Sequence, residues 1–167
     1  MPQDFPAPRT VKKVLNSGGN DLKAALTLPL AALMLACCGG PKQVEVDHGW
    51  VRLPPVQGHP AAAYFELHGG LVDETLIAVD SPVALHAAMH QSMSANGMDS
   101  MAPLNKVTVA AGKTIKFEPG GRHVMLFGLD KTVKPGGTVG LHLVFADGKE
   151  IDYQAKAIAA NAPVPEN

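Results

Sequence analysis

Two histidines and two methionines near the middle of the chain are the residues whose types and spacing could do chemistry: His90, Met101, His123 and Met125. Ten residues separate His90 from Met101, twenty-one separate Met101 from His123, and one separates His123 from Met125. Imidazole and thioether are uncharged donors. Thioethers favour Cu(I) over hard cations, and imidazole suits copper as well. Four such side chains brought together would form a soft site for one Cu(I) ion. Only the two imidazoles can take up a proton, so binding through this set should weaken as pH falls through the imidazole range, about 6.5.

Strands are the elements that must position them. In Arg122-His123-Val124-Met125-Leu126-Phe127 the residues alternate, and at period two His123 and Met125 share one face while Val124 and Leu126 take the other. Taken alone, that pair also fits a half-exposed histidine beside a core methionine. His90 and Met101 flank a loop holding Asn96-Gly97, and a hairpin there would bring them together. Taken alone, these two also fit a polar strand end and a Met-rich loop. Met93 and Met98 lie inside that loop as gap fillers or as auxiliary thioethers. His86 shares the face of His90, but four residues of strand span roughly 13 Å, too far for one ion. Met89 has the opposite parity and reads as core. His48, His59, His68 and His142 have no spacing that relates them to a metal, and Trp50 and Arg52 read as a core anchor and a surface cation.

The rest of the chain supports an all-β reading. Its 167 residues include 17 Gly and 14 Pro, which punctuate short apolar segments at 44–53, 61–67, 71–79, 83–90, 107–109, 114–117, 123–126, 138–145 and 151–156. That pattern predicts a β-sandwich or small barrel. With 14 Lys+Arg against 15 Asp+Glu, the net charge of -1 offers no basic footprint for nucleic acid. Nothing pairs a nucleophile with a base, so an enzyme is not expected.

The N-terminal residues read as a targeting signal. Residues 24–36 (AALTLPLAALMLA) form an apolar run too short to span a bilayer, preceded by Arg9, Lys12, Lys13 and Lys23. The lead-in is long for such a signal, which predicts a translation start downstream of Met1. Both cysteines, Cys37 and Cys38, follow the run directly in Leu35-Ala36-Cys37-Cys38-Gly39-Gly40, which resembles a bacterial lipoprotein box with either cysteine as the lipidated one. The expected organisation is a signal peptide over 1–36, lipid attachment and tether over 37–43, a β-sandwich over 44–158 and a disordered tail over 159–167. Neighbouring cysteines cannot staple the fold, so the domain must stand on its core.

The spacing His-x10-Met-x21-His-x-Met is similar to the signature of the PCuAC family of periplasmic copper chaperones, and it falls here on His90, Met101, His123 and Met125 without insertion or deletion. D-H-G-W-V-R at 47–52, A-A-A-Y-F-E-L at 61–67, S-P-V-A at 81–84 and P-G-G-R-H-V-M-L-F-G-L at 119–129 resemble other stretches of that family in the same order. The resemblance implies a cupredoxin-like β-sandwich of Greek-key type. It also implies a monomeric Cu(I) carrier in the periplasm of a Gram-negative bacterium, held to a membrane by its lipid. The implied partners are the CuA domain of cytochrome c oxidase subunit II and a Sco-type protein. Gln91 stands where some members carry a methionine, and a His/Met-rich C-terminal extension is absent, which puts a second copper in doubt. Two other readings use the same residues differently: a copper buffer for tolerance, without a dedicated acceptor, or an interaction lipoprotein whose His and Met are incidental.

Overall fold

The structure, a computed structural model, describes residues 41–95 and 98–165; at 94, 95, 98 and 99 it describes the backbone alone. The predicted signal, Cys37 and Cys38 lie outside the described residues. Among those residues every regular element is a strand: β1 (Glu45–Arg52), β2 (Ala61–His68), β3 (Glu74–Asp80), β4 (His86–Ala95), β5 (Met98–Pro103), β6 (Val107–Val109), β7 (Thr114–Phe117), β8 (Arg122–Phe127), β9 (Thr138–Phe145) and β10 (Glu150–Ile158).

Alternation in the sequence sets which face each strand buries. In β2, Ala61, Ala63, Phe65 and Leu67 are buried while the residues between them are part-exposed; β9 does the same with Val139, Leu141, Leu143 and Phe145. Each buried Leu or Phe is worth about 1.5–3 kcal/mol of transfer free energy. The strands hydrogen-bond in the order β5-β4-β8-β7-β2-β1-β10-β9-β3-β6, with a further β8–β2 pairing. Met89, Val124 and Leu126 from one end of that sheet join Leu76, Val109 and Phe145 from the other in a single core cluster. The sheet therefore curls over on itself into a sandwich, and sequence neighbours such as β2 and β3 are not hydrogen-bonded partners.

Three features differ from the sequence reading. The segment expected as a loop between His90 and Met101 is mostly strand: β4 runs on to Ala95 and β5 starts at Met98, paired residue for residue. Ser, Ala and Asp are weak strand formers, and pairing against β4 decides the conformation here.

Trp50 is not a core anchor. An extra residue in β1 between the pairs Asp47↔Glu66 and Trp50↔Tyr64 makes a bulge. Beyond it the alternation flips. Val44 and Val46 face the core, then Val51 does, and Trp50 is buried on the outer face against Tyr64, 4.3 Å between ring centroids.

The tail is tied down where it begins. Arg52 lies 5.0 Å over the Trp50 ring and donates to the carbonyls of Ala160 (2.9 Å) and Ala162 (2.7 Å). The cation read as a surface residue thus orders the first part of the segment expected to lack order.

Candidate metal centre

β4 and β8 are antiparallel neighbours in unbroken register from His86↔Phe127 to Gln91↔Arg122. Within it His90 stands opposite His123, and Ala88 opposite Met125. Directly opposed residues share a face, so both histidines and Met125 lie together. On the other flank of β4, Ser92 opposes Met101, which puts Met101 on that same face, one diagonal step from His90. The opposite face belongs to Met89, Val124 and Leu126, all buried in the core. Four residues spread over 36 positions therefore share one face of the sheet.

The two imidazoles are held alike. The rings are near-parallel (22°) with centroids 5.9 Å apart. Two imidazoles on one ion, each with a metal–nitrogen bond of about 2.0 Å, have centroids no more than roughly 6.4 Å apart, so the pair can share an ion. His90 Nδ1 lies 3.2 Å from the Ala88 carbonyl, and His123 Nδ1 lies 3.2 Å from the Gly121 carbonyl. A carbonyl oxygen only accepts, so each Nδ1 carries the proton and donates. Each Nε2 keeps its lone pair, which is the tautomer a metal needs.

Burial is graded across the patch. His123 is 5% exposed and Met101 is 60% exposed, with His90 and Met125 between. The floor is thus a fixed imidazole and the rim an open thioether. Tyr64 flanks His123 at 6.4 Å between centroids. Burial raises the Tyr64 phenol above its usual range, and the Arg52 charge pulls back the other way, so Tyr64 adds no charge to the patch.

The remaining candidates fall elsewhere. Met93 is an odd number of residues from His90 and alternates to the other face of β4, where it is 49% exposed. Gln91 alternates likewise, and its amide donates to the Ser92 carbonyl. The Met98 side chain lies outside the described residues. His86 is exposed and stacks on Phe127 at 5.6 Å.

Sequence reasoning missed a second cluster. Asp47, His48, Glu66 and His68 each offer a ligand atom, and the four atoms lie within 4.8 Å of one another. No spacing pointed to them, because the β1 bulge assembles them: Asp47 pairs with Glu66, and His48 turns to the same side through a φ of 49°.

The all-β sandwich that carries this patch is a fold shared with solved structures of PCuAC domains. The copper-bound PCuAC domain from PmoF2 superposes with a TM-score of 0.59 at 21% identity, covering 72% of this chain and 96% of that one. The apo PCuAC domain from PmoF1 gives 0.58 at 25% identity over 72% and 96%. The solution structure of CuI-DR1885 from Deinococcus radiodurans gives 0.57 at 26% identity over 77% and 85%. The cupredoxin-like sandwich that the resemblance implies is the fold observed. Residues 44–157 match the family described as "Putative lipoprotein LpqE-like", and the chain belongs to that LpqE-like family. A curated relative, "Putative lipoprotein Lxx21020" of Leifsonia xyli subsp. xyli (strain CTCB07), is 28% identical over 106 residues; the match spans 63% of this chain and 63% of the relative's length.

Proposed function

We propose that this protein is an extracytoplasmic lipoprotein that carries one Cu(I) ion on His90, His123, Met125 and Met101 and hands it on for assembly of the CuA centre of cytochrome c oxidase. The observation that carries the reading is the cross-strand pairing of His90 with His123, both with Nδ1 committed to a carbonyl and Nε2 left to coordinate. Met125 and Met101 on the same face add the thioethers that favour the monovalent ion. Copper in the PmoF2 domain and Cu(I) in DR1885 support the choice of metal. The family's lipoprotein character supports a membrane anchor, which the proposal places on Cys37 or Cys38 in the periplasm.

Exposure of Met101 favours a carrier over a storage site. A ligand at the rim can be replaced first by an acceptor's donor, and thiolates, as in a CuA domain or a Sco-type protein, bind soft copper more strongly. A copper buffer would use the same four residues without the hand-over.

Cu(I) titration against a chromophoric chelator under reductant tests the site, with His90→Ala and Met125→Ala beside the wild type. One equivalent, lost in both variants, is expected. Incubation of the loaded protein with an apo CuA domain then separates carrier from buffer, since only a carrier transfers its copper within minutes. Binding indifferent to both substitutions sinks the reading.

A further inference from the structure

A second set of donors sits on the outer face of β1 and β2, and its chemistry differs from the first. His68 Nε2 lies 2.8 Å from Asp47 Oδ1, and His48 Nδ1 lies 3.0 Å from the same oxygen. Glu66 Oε2 is 4.0 Å from each of those imidazole nitrogens. Tetrahedral donors around an ion at about 2.1 Å stand roughly 3.4 Å apart. The cluster therefore needs side-chain shifts on the order of an ångström to close on one ion.

The surroundings suit a cation. Lys116 Nζ holds the other Glu66 oxygen, Oε1, at 2.7 Å, which leaves Oε2 facing the imidazoles. Thr114 Oγ1 lies 2.9 Å from His68 Nδ1. When that Nδ1–H donates to the hydroxyl, Nε2 presents a lone pair toward a carboxylate oxygen, and only a proton or a metal ion between the two makes that approach favourable. A partner of this kind on the far nitrogen is what metal-ligating histidines usually have. His48 and Glu66 also line a cleft of about 230 Å³ together with Trp50 and Lys116, which gives room for water as a further ligand.

We infer that Asp47, His48, Glu66 and His68 form a second metal site, selective for a divalent borderline cation of the Zn(II) or Cu(II) kind. Imidazole with carboxylate suits those ions, whereas Cu(I) prefers the thioethers of the other patch. Asp47 supplies a negative charge, and Glu66, shared with Lys116, supplies a further oxygen donor. Tyr64, which flanks His123, precedes Glu66 and His68 on the same face of β2, so the two sites lie roughly 7–13 Å apart along that strand. The inference does not depend on the Cu(I) reading, because none of the four residues belongs to that patch.

The test is titration of the purified protein with Zn(II) against a chromophoric chelator. His68→Ala removes one ligand. His48→Asn removes another while keeping a residue that tolerates the positive φ. Wild type should bind one equivalent, each variant should bind it at least tenfold more weakly, and His90→Ala should bind it as wild type does. Circular dichroism and a retained Cu(I) equivalent in His68→Ala show that the fold survives. Absence of Zn(II) binding by the wild type, equal binding by both variants, or loss on His90→Ala would each overturn the inference; the last would place the zinc on the thioether patch instead.

Discussion

His90 and His123 face each other across adjoining strands, and each spends its Nδ1 proton on the carbonyl two residues earlier in the chain, Ala88 within β4 and Gly121 just ahead of β8. The pairing fixes both tautomers before any metal arrives. A site prepared in this way loses little freedom on binding. The less constrained of the proposed ligands is Met101, at the exposed end of the patch.

That contrast separates affinity from release. His123→Ala removes a buried, oriented donor and should weaken Cu(I) binding by about a hundredfold or more, some 2.7 kcal/mol. Met101→Ala removes a rim donor and should cost about tenfold in affinity. Its larger effect should be on the rate of transfer to an acceptor. Chelator competition gives the first quantity and stopped-flow transfer the second. Equal losses of affinity in the two variants would contradict the graded site.

The pair His142 and Asp152 makes a pH prediction. The Asp152 carboxylate, 2.8 Å from His142 Nδ1, raises the imidazole above its usual range, with Glu150 and Asp80 adding to the effect and desolvation opposing it. A histidine whose folded value is raised stabilises the fold below its ordinary range, about 6.5, and loses that contribution as pH rises through the raised value. The wild type should therefore lose thermal stability relative to Asp152→Asn as pH rises from about 6.5 through the raised value. NMR titration of the His142 ring should show the upward shift disappear in the variant. An unchanged titration would remove Asp152 as the cause.

Glu74 tests the interior. It is 6% exposed, bonds to Lys149 through Oε1 and has no partner for Oε2 among the described residues. Lys149→Ala leaves a buried carboxylate uncompensated and should cost on the order of 2–3 kcal/mol. The double variant with Glu74→Gln should recover part of that. Urea unfolding measures both, and a loss no smaller in the double variant would argue against the ion pair as the source.

Arg52 offers a further stability test. Arg52→Ala removes the stack on Trp50 and the grip on the Ala160 and Ala162 carbonyls, for an expected loss of about 1–2 kcal/mol. Limited proteolysis should then cut near residue 160 faster than in the wild type. Unchanged cleavage would show that other contacts hold the segment.

The two halves of the thioether patch were legible from local pattern, whereas the β4–β8 pairing that sets His90 opposite His123 was not. Parity within β8 put His123 beside Met125, and hairpin pairing brought Met101 toward His90; neither inference needed knowledge of the other strands. The all-β class was legible for the same reason. What escaped the sequence depends on one inserted residue. The β1 bulge turns Trp50 to the outer face and gathers Asp47 and His48 over Glu66 and His68, and no spacing in D-H-G-W gives its position. Gly49 is the trace that could have helped: a side chain there would overlap the Tyr153 ring, whose hydroxyl accepts the Gly49 N–H at 3.0 Å. A glycine inside a strand pattern signals a bulge or a close approach. The extent of β4 and β5 also escaped, since their polar and small residues carry little strand preference of their own.

Register also gives the domain a leash end and a cargo end. Glu45 begins β1 opposite His68, while Arg52 ends it opposite Ala62, whose other neighbour is Met125. Along β1 the two ends are about 23 Å apart. With the proposed lipid ahead of Val44, the thioether patch would stand at the far rim, away from the point of attachment. Tether length would then set how far from a bilayer the proposed copper could be offered, so lengthening or shortening residues 39–43 should change which acceptors are reached while leaving the affinity for copper untouched.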